Sequence, residues 1–247
     1  MGKRRIRNLH ALGEKIVIGF DPRKDRCIEA EQKYEIKTFQ NFDQAINTKP
    51  DVMIISTPPD LHSKYVKIAI ERKIHFFTEA NVVTDDMVEI IDLLKNNDIV
   101  GVPSCTLRFH KMFLKLQTIL MENKNLGKVL CILHHQGHYL PDWHPWEDYR
   151  DFYASKKRTG AGREMVPFEL VWLTALFGKI KSVKGSKTRT GILDSEIDDL
   201  YNAILDFESG VKGMLTVDVI SRIPYRQIKI ITEKGVIESD WNKKKIK

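Results

Sequence analysis

The stretch DVMIISTPPDLHSKYVKIAIERKIHFFTEANVV, Asp51 to Val83, decides the fold. Val52 to Ile55 is a continuous apolar, largely β-branched run, the pattern of a strand buried on both faces of a parallel sheet. Ser56-Thr57-Pro58-Pro59 ends it abruptly, because proline fixes φ and lacks an N–H, and Asp60 then offers a carboxylate to cap a helix. Within that helix Leu61, Tyr65, Ile68, Ala69 and Arg72 recur at helical spacing, with Lys64 and Lys67 on the other face. Ile74 to Thr78 is a second apolar run. Parallel strands joined by a helix end on one sheet edge, where open α/β sheets bind ligands, so Ser56, Thr57, His62 and Glu79 are predicted together at that edge.

Upstream, Gly2 to Leu12 reads as a helix with Ile6, Leu9 and Leu12 inward and Lys3, Arg4, Arg5 and Arg7 outward. Ile16 to Phe20 reads as a buried strand ending in Asp21, Asp25 to Tyr34 as a helix, Glu35 to Phe39 as an edge strand and Phe42 to Asn47 as a short helix. Downstream, Thr84 is a plausible cap, with Asp85 and Asp86 in the first turn of a helix running to about Asn96. Ile99 to Ser104 is the last strand before a crossing at Cys105 to Phe109. A dinucleotide fold needs a strand and a glycine-rich turn before its first helix, so that pyrophosphate meets backbone N–H groups at the helix N-terminus. Here the helix comes first. The expectation is therefore a Rossmann-type parallel sheet domain, residues 1–107, with its first strand missing, unpaired backbone groups on that strand's neighbours and impaired pyrophosphate binding.

The second half, residues 108–247, changes character. Lys111 to Glu122 is an amphipathic helix, Val129 to Tyr139 begins a sheet, and strand patterns follow at Ile180 to Thr190, Asp198 to Phe207, Val211 to Ile220, Tyr225 to Thr232 and Val236 to Trp241. Turn-like separators such as Glu208-Ser209-Gly210 and Glu233-Lys234-Gly235 imply an α+β domain with a mostly antiparallel open sheet.

Thr57-Pro58-Pro59-Asp60-Leu61-His62, followed by Ala69-Ile70 and then Glu79, resembles the hallmark of the Gfo/Idh/MocA family of nicotinamide-dependent oxidoreductases. The resemblance implies an NAD or NADP cofactor held by Gly2, Asp21, Ser56, Thr57, Pro58, His62, Glu79 and Arg108. Gly2 would be the last glycine of the family's Gly-x-Gly-x-x-Gly turn, which implies truncation at the N-terminus, and relatives also continue beyond Lys247. Asp21, 19 residues after Gly2, would accept the ribose hydroxyls and favours NAD, although Arg23, Lys24 and Arg26 pull toward a 2′-phosphate. Asp21 is alternatively a loop residue before Pro22, and Arg108 alternatively an interdomain salt-bridge residue. The chain departs from the family at Ala80 and Asn81, where Lys and Pro are usual and the Lys is assigned to catalysis.

His134 to Phe152, HHQGHYLPDWHPWEDYRDF, holds four histidines, two tryptophans and two tyrosines. His134 and His138 on one strand face, with no fixed third ligand, make a weak metal site, so no metal is predicted. Tyr139, Trp143, Trp146 and Tyr149 on a long proline-bearing loop suit a sugar-stacking pocket, or else a loop packed on the domain interface, with Tyr139 and Trp143 as the candidate substrate residues. Tyr-Leu-Pro-Asp-Trp with His-Pro and Asp-Tyr-Arg resembles a family subgroup of nonulosonate and other surface-glycan sugar pathways. Thr159-Gly160-Ala161-Gly162-Arg163 precedes an apolar helix from Leu170 to Phe177, and Arg163 is a candidate substrate ligand. The family's His falls at Glu169 counting from the glycines, or at Phe168 counting back from Leu176-Phe177-Gly178. Glu169 is the candidate catalytic group, with Glu164 or a histidine from His134 to His138 as alternatives, or else Glu164 and Glu169 are cap or salt-bridge residues of a helix start.

Composition sets the outer bounds. The chain is long enough for two domains, and Cys27, Cys105 and Cys131 lie far apart, as suits free thiols in a reducing compartment. A net charge of +7 is spread over dispersed clusters without aromatic interleaving, so it reads as solvated surface rather than a nucleic-acid face. No apolar run has the length of a signal or spanning segment, and a cytoplasmic protein that acts on a small-molecule sugar substrate as a homo-oligomer is expected. The leading expectation is an NAD(P)-dependent oxidoreductase of a nucleotide sugar or sugar acid; the alternative is a catalytically silent relative, or a fragment of one, that binds without turnover.

Overall fold

A computed structural model describes residues 1–80, 83, 86–122 and 124–247. The expected cap at Thr84, the first-turn Asp85 and the family departure at Asn81 lie outside the described residues. Two compact units divide the chain: Met1–Glu79 with Thr84–Ser104, and Ala80–Val83 with Cys105–Lys247.

The first unit runs α1 (Gly2–Ala11), β1 (Ile18–Phe20), α2 (Lys24–Tyr34), β2 (Lys37–Phe39), α3 (Phe42–Ile46), β3 (Val52–Ile55), α4 (His62–Glu71), β4 (His75–Thr78), α5 (Met87–Lys95) and β5 (Gly101–Pro103). All its strand pairs are parallel, but they form two sheets, β1–β2 and β3–β4–β5, rather than one. Among the described residues, β1 on the side away from β2 and β3 on the side away from β4 carry no ladder. This explains why two strands expected to be buried are not. Ile16 is 94% exposed and lies outside β1, and Val52 is 54% exposed, while Ile55 at the far end of β3 is buried. An aromatic trio, Phe20 from β1, Phe42 from α3 and Tyr65 from α4, packs beside these strands with ring centroids 5.1–6.4 Å apart.

Three helix expectations need correction. Asp60 does not cap α4: Pro59–Leu61 form a turn of 3-10 helix, Leu61 stands at the cap position and no side chain bonds there. The buried face of α4 is His62, Ser63, Val66, Ala69 and Ile70, not the face through Leu61 and Arg72, because the helix lays its more apolar flank on Ile55, Ile74 and Phe76. In α1, Leu12 lies past the helix end and is 79% exposed, whereas Arg5, expected outward, turns in. It turns because an anion waits there.

The second unit comprises α6 (Lys111–Glu122), β6 (Val129–Gly137), α7 (Ala161–Phe177), β7 (Ile180–Thr188), β8 (Leu200–Phe207), β9 (Lys212–Asp218), β10 (Tyr225–Thr232), β11 (Val236–Asp240) and β12 (Lys245–Ile246). Its seven strands lie in the order β12-β11-β10-β6-β9-β8-β7, and every pair is antiparallel except β6–β9. Alternation along the strands sends Ile132, Leu205, Leu215, Val217, Ile228 and Ile230 toward Met112, Phe113 and Leu116 of α6 and Trp172, Leu173 and Phe177 of α7. Each fully buried aliphatic side chain there stabilises the unit by about 1.5–3 kcal/mol. Helix α7 starts nine residues before the expected Leu170: Gly160 is its cap, Gly162 lies in its first turn, and Pro167 is accommodated inside it. The glycine run therefore belongs to the helix rather than to a loop ahead of it, because Gly162 must pass the Tyr201 ring closely, within 2.5 Å of where a Cβ would stand.

Candidate functional site

In the first unit the register Ile55↔Thr78 brings β3 and β4 to the same edge, and the Glu79 N–H donates to the Ile55 carbonyl at 3.1 Å, extending the pairing by one step. The four edge residues are thereby assembled. Glu79 is the charged centre. Its Oε1 accepts from Arg5 Nε at 2.6 Å and its Oε2 from Arg5 Nη2 at 2.8 Å, a forked pair with both side chains largely shielded, at 15% and 12% exposure. Ser56 Oγ lies 3.5 Å from Glu79 Oε1, Ser104 Oγ 3.4 Å from Arg5 Nη2, and the guanidinium stacks 4.5 Å above the Phe77 ring. Arg5 is the one residue of this site that the sequence reading pointed the wrong way.

Beside that pair lies a second, neutral arrangement. His62 is buried and its Nε2 donates to the Thr57 carbonyl at 2.9 Å, so Nδ1 carries the free lone pair. Burial lowers the His62 pKa against the pull of the Thr57 carbonyl, Glu79 and Asp60, which keeps the ring uncharged at neutral pH. His62 Nδ1 and Thr57 Oγ1 are both buried and both without a hydrogen-bond partner. Unmet buried polar atoms cost about 1–3 kcal/mol each, so such a pair marks a place where a ligand completes the bonding.

The remaining cofactor candidates are more loosely held. Asp21 accepts from the Arg23 N–H at 2.9 Å and from Arg26 Nη1 at 3.3 Å, which places an arginine next to the carboxylate expected to meet the ribose. Gly2 opens α1 in open space, Pro58 is exposed, and Arg108 lies exposed on the turn Thr106–Phe109 of the second unit.

In the second unit Glu169 is the most constrained candidate. It is fully buried, its Oε1 accepts from Arg226 Nε at 3.0 Å and Nη2 at 2.9 Å, and its Oε2 accepts from His134 Nε2 at 2.7 Å and Trp172 Nε1 at 2.8 Å. Burial pushes its pKa up, but the bond from His134 and the nearby Arg226 win and hold it at about 2. Of the substrate candidates, Tyr139 lies under the Arg222 guanidinium at 3.7 Å, Trp143 Nε1 donates to the His138 carbonyl at 3.3 Å, and Arg163 is exposed on the first turn of α7. Tyr139 and Trp143 pack against Leu140, Ala154 and Val219, so the loop is anchored, and Trp146, stacked on His144 at 5.0 Å, is the loop's most exposed aromatic at 76%.

A second histidine cluster sits on the other face of β6. His135 Nε2 pairs with Asp218 Oδ2 at 2.7 Å, Tyr225 Oη lies 2.8 Å from His135 Nδ1, and Asp218 Oδ1 accepts from the N–H groups of Ile220 and Ser221. The structure thus sends His134 and His135 to opposite faces, as strand geometry requires, and gives each a carboxylate. Among the described residues, no group of three or more His, Cys, Asp and Glu side chains is placed to hold a metal.

With this geometry in place, two family descriptions match the chain: an oxidoreductase family with an NAD-binding Rossmann fold over residues 1–102, and the GFO/IDH/MocA C-terminal domain over residues 114–238. The chain belongs to the Gfo/Idh/MocA family. It is thus an NAD-binding oxidoreductase-family chain, and the edge of β3 and β4 is where its Rossmann-type unit presents Ser56, Thr57, His62 and Glu79. Solved structures agree on the fold. The WlbA dehydrogenase from Bordetella pertussis, determined with NADH and UDP-GlcNAcA, superposes with a TM-score of 0.84 at 17% identity over 97% of this chain and 70% of its own. Myo-inositol 2-dehydrogenase from Lactobacillus plantarum gives 0.82 at 15% identity over 96% and 73%, and a probable dehydrogenase from Thermotoga maritima gives 0.79 at 20% over 97% and 72%. No curated protein matches by sequence.

Proposed function

We propose that this Gfo/Idh/MocA chain is an NAD(P)-dependent oxidoreductase of a sugar derivative, either a nucleotide sugar or a sugar acid, in bacterial surface-glycan biosynthesis. The observation that carries the cofactor half of the reading is the pair of buried, unpartnered atoms Thr57 Oγ1 and His62 Nδ1 at the carboxyl edge of β3. A dinucleotide fits them, since the Thr57 hydroxyl can donate or accept and the neutral His62 Nδ1 accepts from a ribose hydroxyl or an amide. When bound, nicotinamide supplies the hydride chemistry; the protein supplies position and a path for the alcohol proton. Arg5 holds Glu79 rigidly through two bonds, so the strand edge is preorganised. Asp21 favours NAD, and the neighbouring Arg26 supplies a contact for NADP. The sugar half of the reading is supported by solved relatives of the same fold, a WlbA dehydrogenase with UDP-GlcNAcA, a levoglucosan dehydrogenase with levoglucosan and a myo-inositol 2-dehydrogenase, and by Tyr139, Trp143 and Arg163 in the second unit.

Glu169 is assigned here as a positioning residue rather than the base, because all its accepting directions are used. A second reading, a catalytically silent family member, is favoured by one specific feature: Ala80 stands where the resemblance implies a lysine. The two are separated by incubating the protein with NAD+ or NADP+ and a panel of nucleotide sugars and sugar acids, following nicotinamide absorbance. Reduction with any of them supports the oxidoreductase; none, in a protein that binds NADH, supports the silent relative.

A further inference from the structure

We infer that Arg226, Trp241 and the flanking His110 and His138 form an anion-binding subsite in the second unit, which takes the negatively charged oxygen group of the sugar substrate. The inference rests on the sugar reading above. The period-2 alternation of β10 puts Arg226 on the same face as Ile228 and Ile230, where a charge is expected only with a purpose. Glu169 grips Nε and Nη2, which fixes the plane of the guanidinium. The same carboxylate also takes His134 Nε2, while His134 Nδ1 faces the Gln227 carbonyl at 2.8 Å. His134 is thereby fixed between the Gln227 carbonyl and Glu169, and the same carboxylate holds the Arg226 guanidinium in place, so the guanidinium is preorganised for a further acceptor.

The cluster also has a donor in need of a partner. Trp241 is 5% exposed and its Nε1–H has no acceptor, although its ring centre lies 5.6 Å from the Arg226 guanidinium and its backbone N–H bonds the Arg226 carbonyl at 3.0 Å. His110 stacks on that indole at 4.7 Å. Burial depresses both His110 and His138; at His110 the positive charges of Arg226 and then Lys244 add to it, and at His138 Asp142 opposes it while Arg226 adds a smaller push downward. The Glu169 and His134 side chains are closed to solvent, while the Arg226 side chain is 21% exposed, so of these three Arg226 is the one that reaches solvent. A carboxylate of a sugar acid or a phosphate of a nucleotide sugar both carry the required chemistry.

The test is isothermal titration of the full chain with D-glucuronate and, separately, with UDP. Trp241→Phe keeps the ring and removes only the donor, so it is expected to weaken binding about fivefold, the worth of one hydrogen bond. Arg226→Lys loses the fork and is expected to weaken it at least about tenfold. Loss confined to glucuronate assigns the carboxylate, and loss confined to UDP assigns the phosphate. Unchanged affinity for both ligands in both variants overturns the subsite. Should Arg226→Lys fail to fold, histidine NMR of the wild type decides: His110 and His138 are expected to titrate at higher pH once an anion is bound, and unmoved midpoints overturn the inference. Anion binding in a protein that does not bind NADH would sink the oxidoreductase reading and leave the subsite standing.

Discussion

Glu169 shows what one residue's surroundings reveal that its position in the sequence cannot. Counting from the glycines makes it a candidate base; four donors on two oxygens make it the anchor of Arg226, His134 and Trp172. Glu169→Gln is expected to destabilise the protein by about 3 kcal/mol, because it leaves the largely shielded Arg226 guanidinium without its carboxylate, and urea unfolding would measure this. Native-like stability with abolished turnover would instead make Glu169 the base. Its folded pKa of about 2 lies below the ordinary 4.5, so its contribution is fully present above about pH 4.5 and is lost as pH falls from there toward 2. The shift corresponds to about 3 kcal/mol, and acid unfolding of the wild type should steepen across that window while that of the Gln variant does not. Arg5 makes the complementary point. In sequence it is one of a basic run on a helix, and only the fold shows that it meets Glu79, 74 residues away.

At the scale of elements, periodicity and turn chemistry located strands and helices well, since α6 and β10 have the expected bounds and the β3–β4 edge gathers Ser56, Thr57, His62 and Glu79. The misses share a cause: local rules do not register what an element packs against. Asp60 had the right chemistry for a cap, but the prolines before it continue into a 3-10 turn, and the start of α7 depends on Tyr201, nearly forty residues downstream. Burial and Asp198 raise the phenol of that tyrosine to about 12. Gly162→Ala drives a methyl into the ring and within 3.2 Å of the Asp198 carbonyl. Overpacking of this kind costs about 1–3 kcal/mol, and the higher helix propensity of alanine returns at most about 1. A net loss is expected, read as a lower urea midpoint at unchanged slope; a stabilised variant would mean the ring moves freely.

For the whole molecule, the family resemblance and the α/β plus α+β organisation were readable from the Thr-Pro-Pro-x-x-His stretch and the later strand patterns. The division of the parallel strands into two sheets follows from their pairing and explains the exposure of Ile16 and Val52. No helix among the described residues is long and apolar enough to cross a membrane. On the open face of the seven-stranded sheet, Leu133, Met214 and Ile204 stand side by side across three strands, at 36%, 55% and 55% exposure. An apolar row rimmed by polar ones suits self-association, which would make the protein the homo-oligomer expected from its sequence. Met214→Glu is expected to lower the sedimentation coefficient to that of the monomer, and an unchanged value would remove this face from the account.

The central claim is that the carboxyl edge of β3 and β4 holds the nicotinamide dinucleotide through Thr57 and His62. It is tested most directly by titrating NADH into the wild type and into Thr57→Val and His62→Ala, followed by nicotinamide fluorescence, with circular dichroism to establish that each variant is folded. The expected result is a saturable signal in the wild type that weakens about fivefold or more in each folded variant, the loss of one buried hydrogen bond. Saturable binding of equal affinity in all three proteins, or none in the wild type, would contradict it.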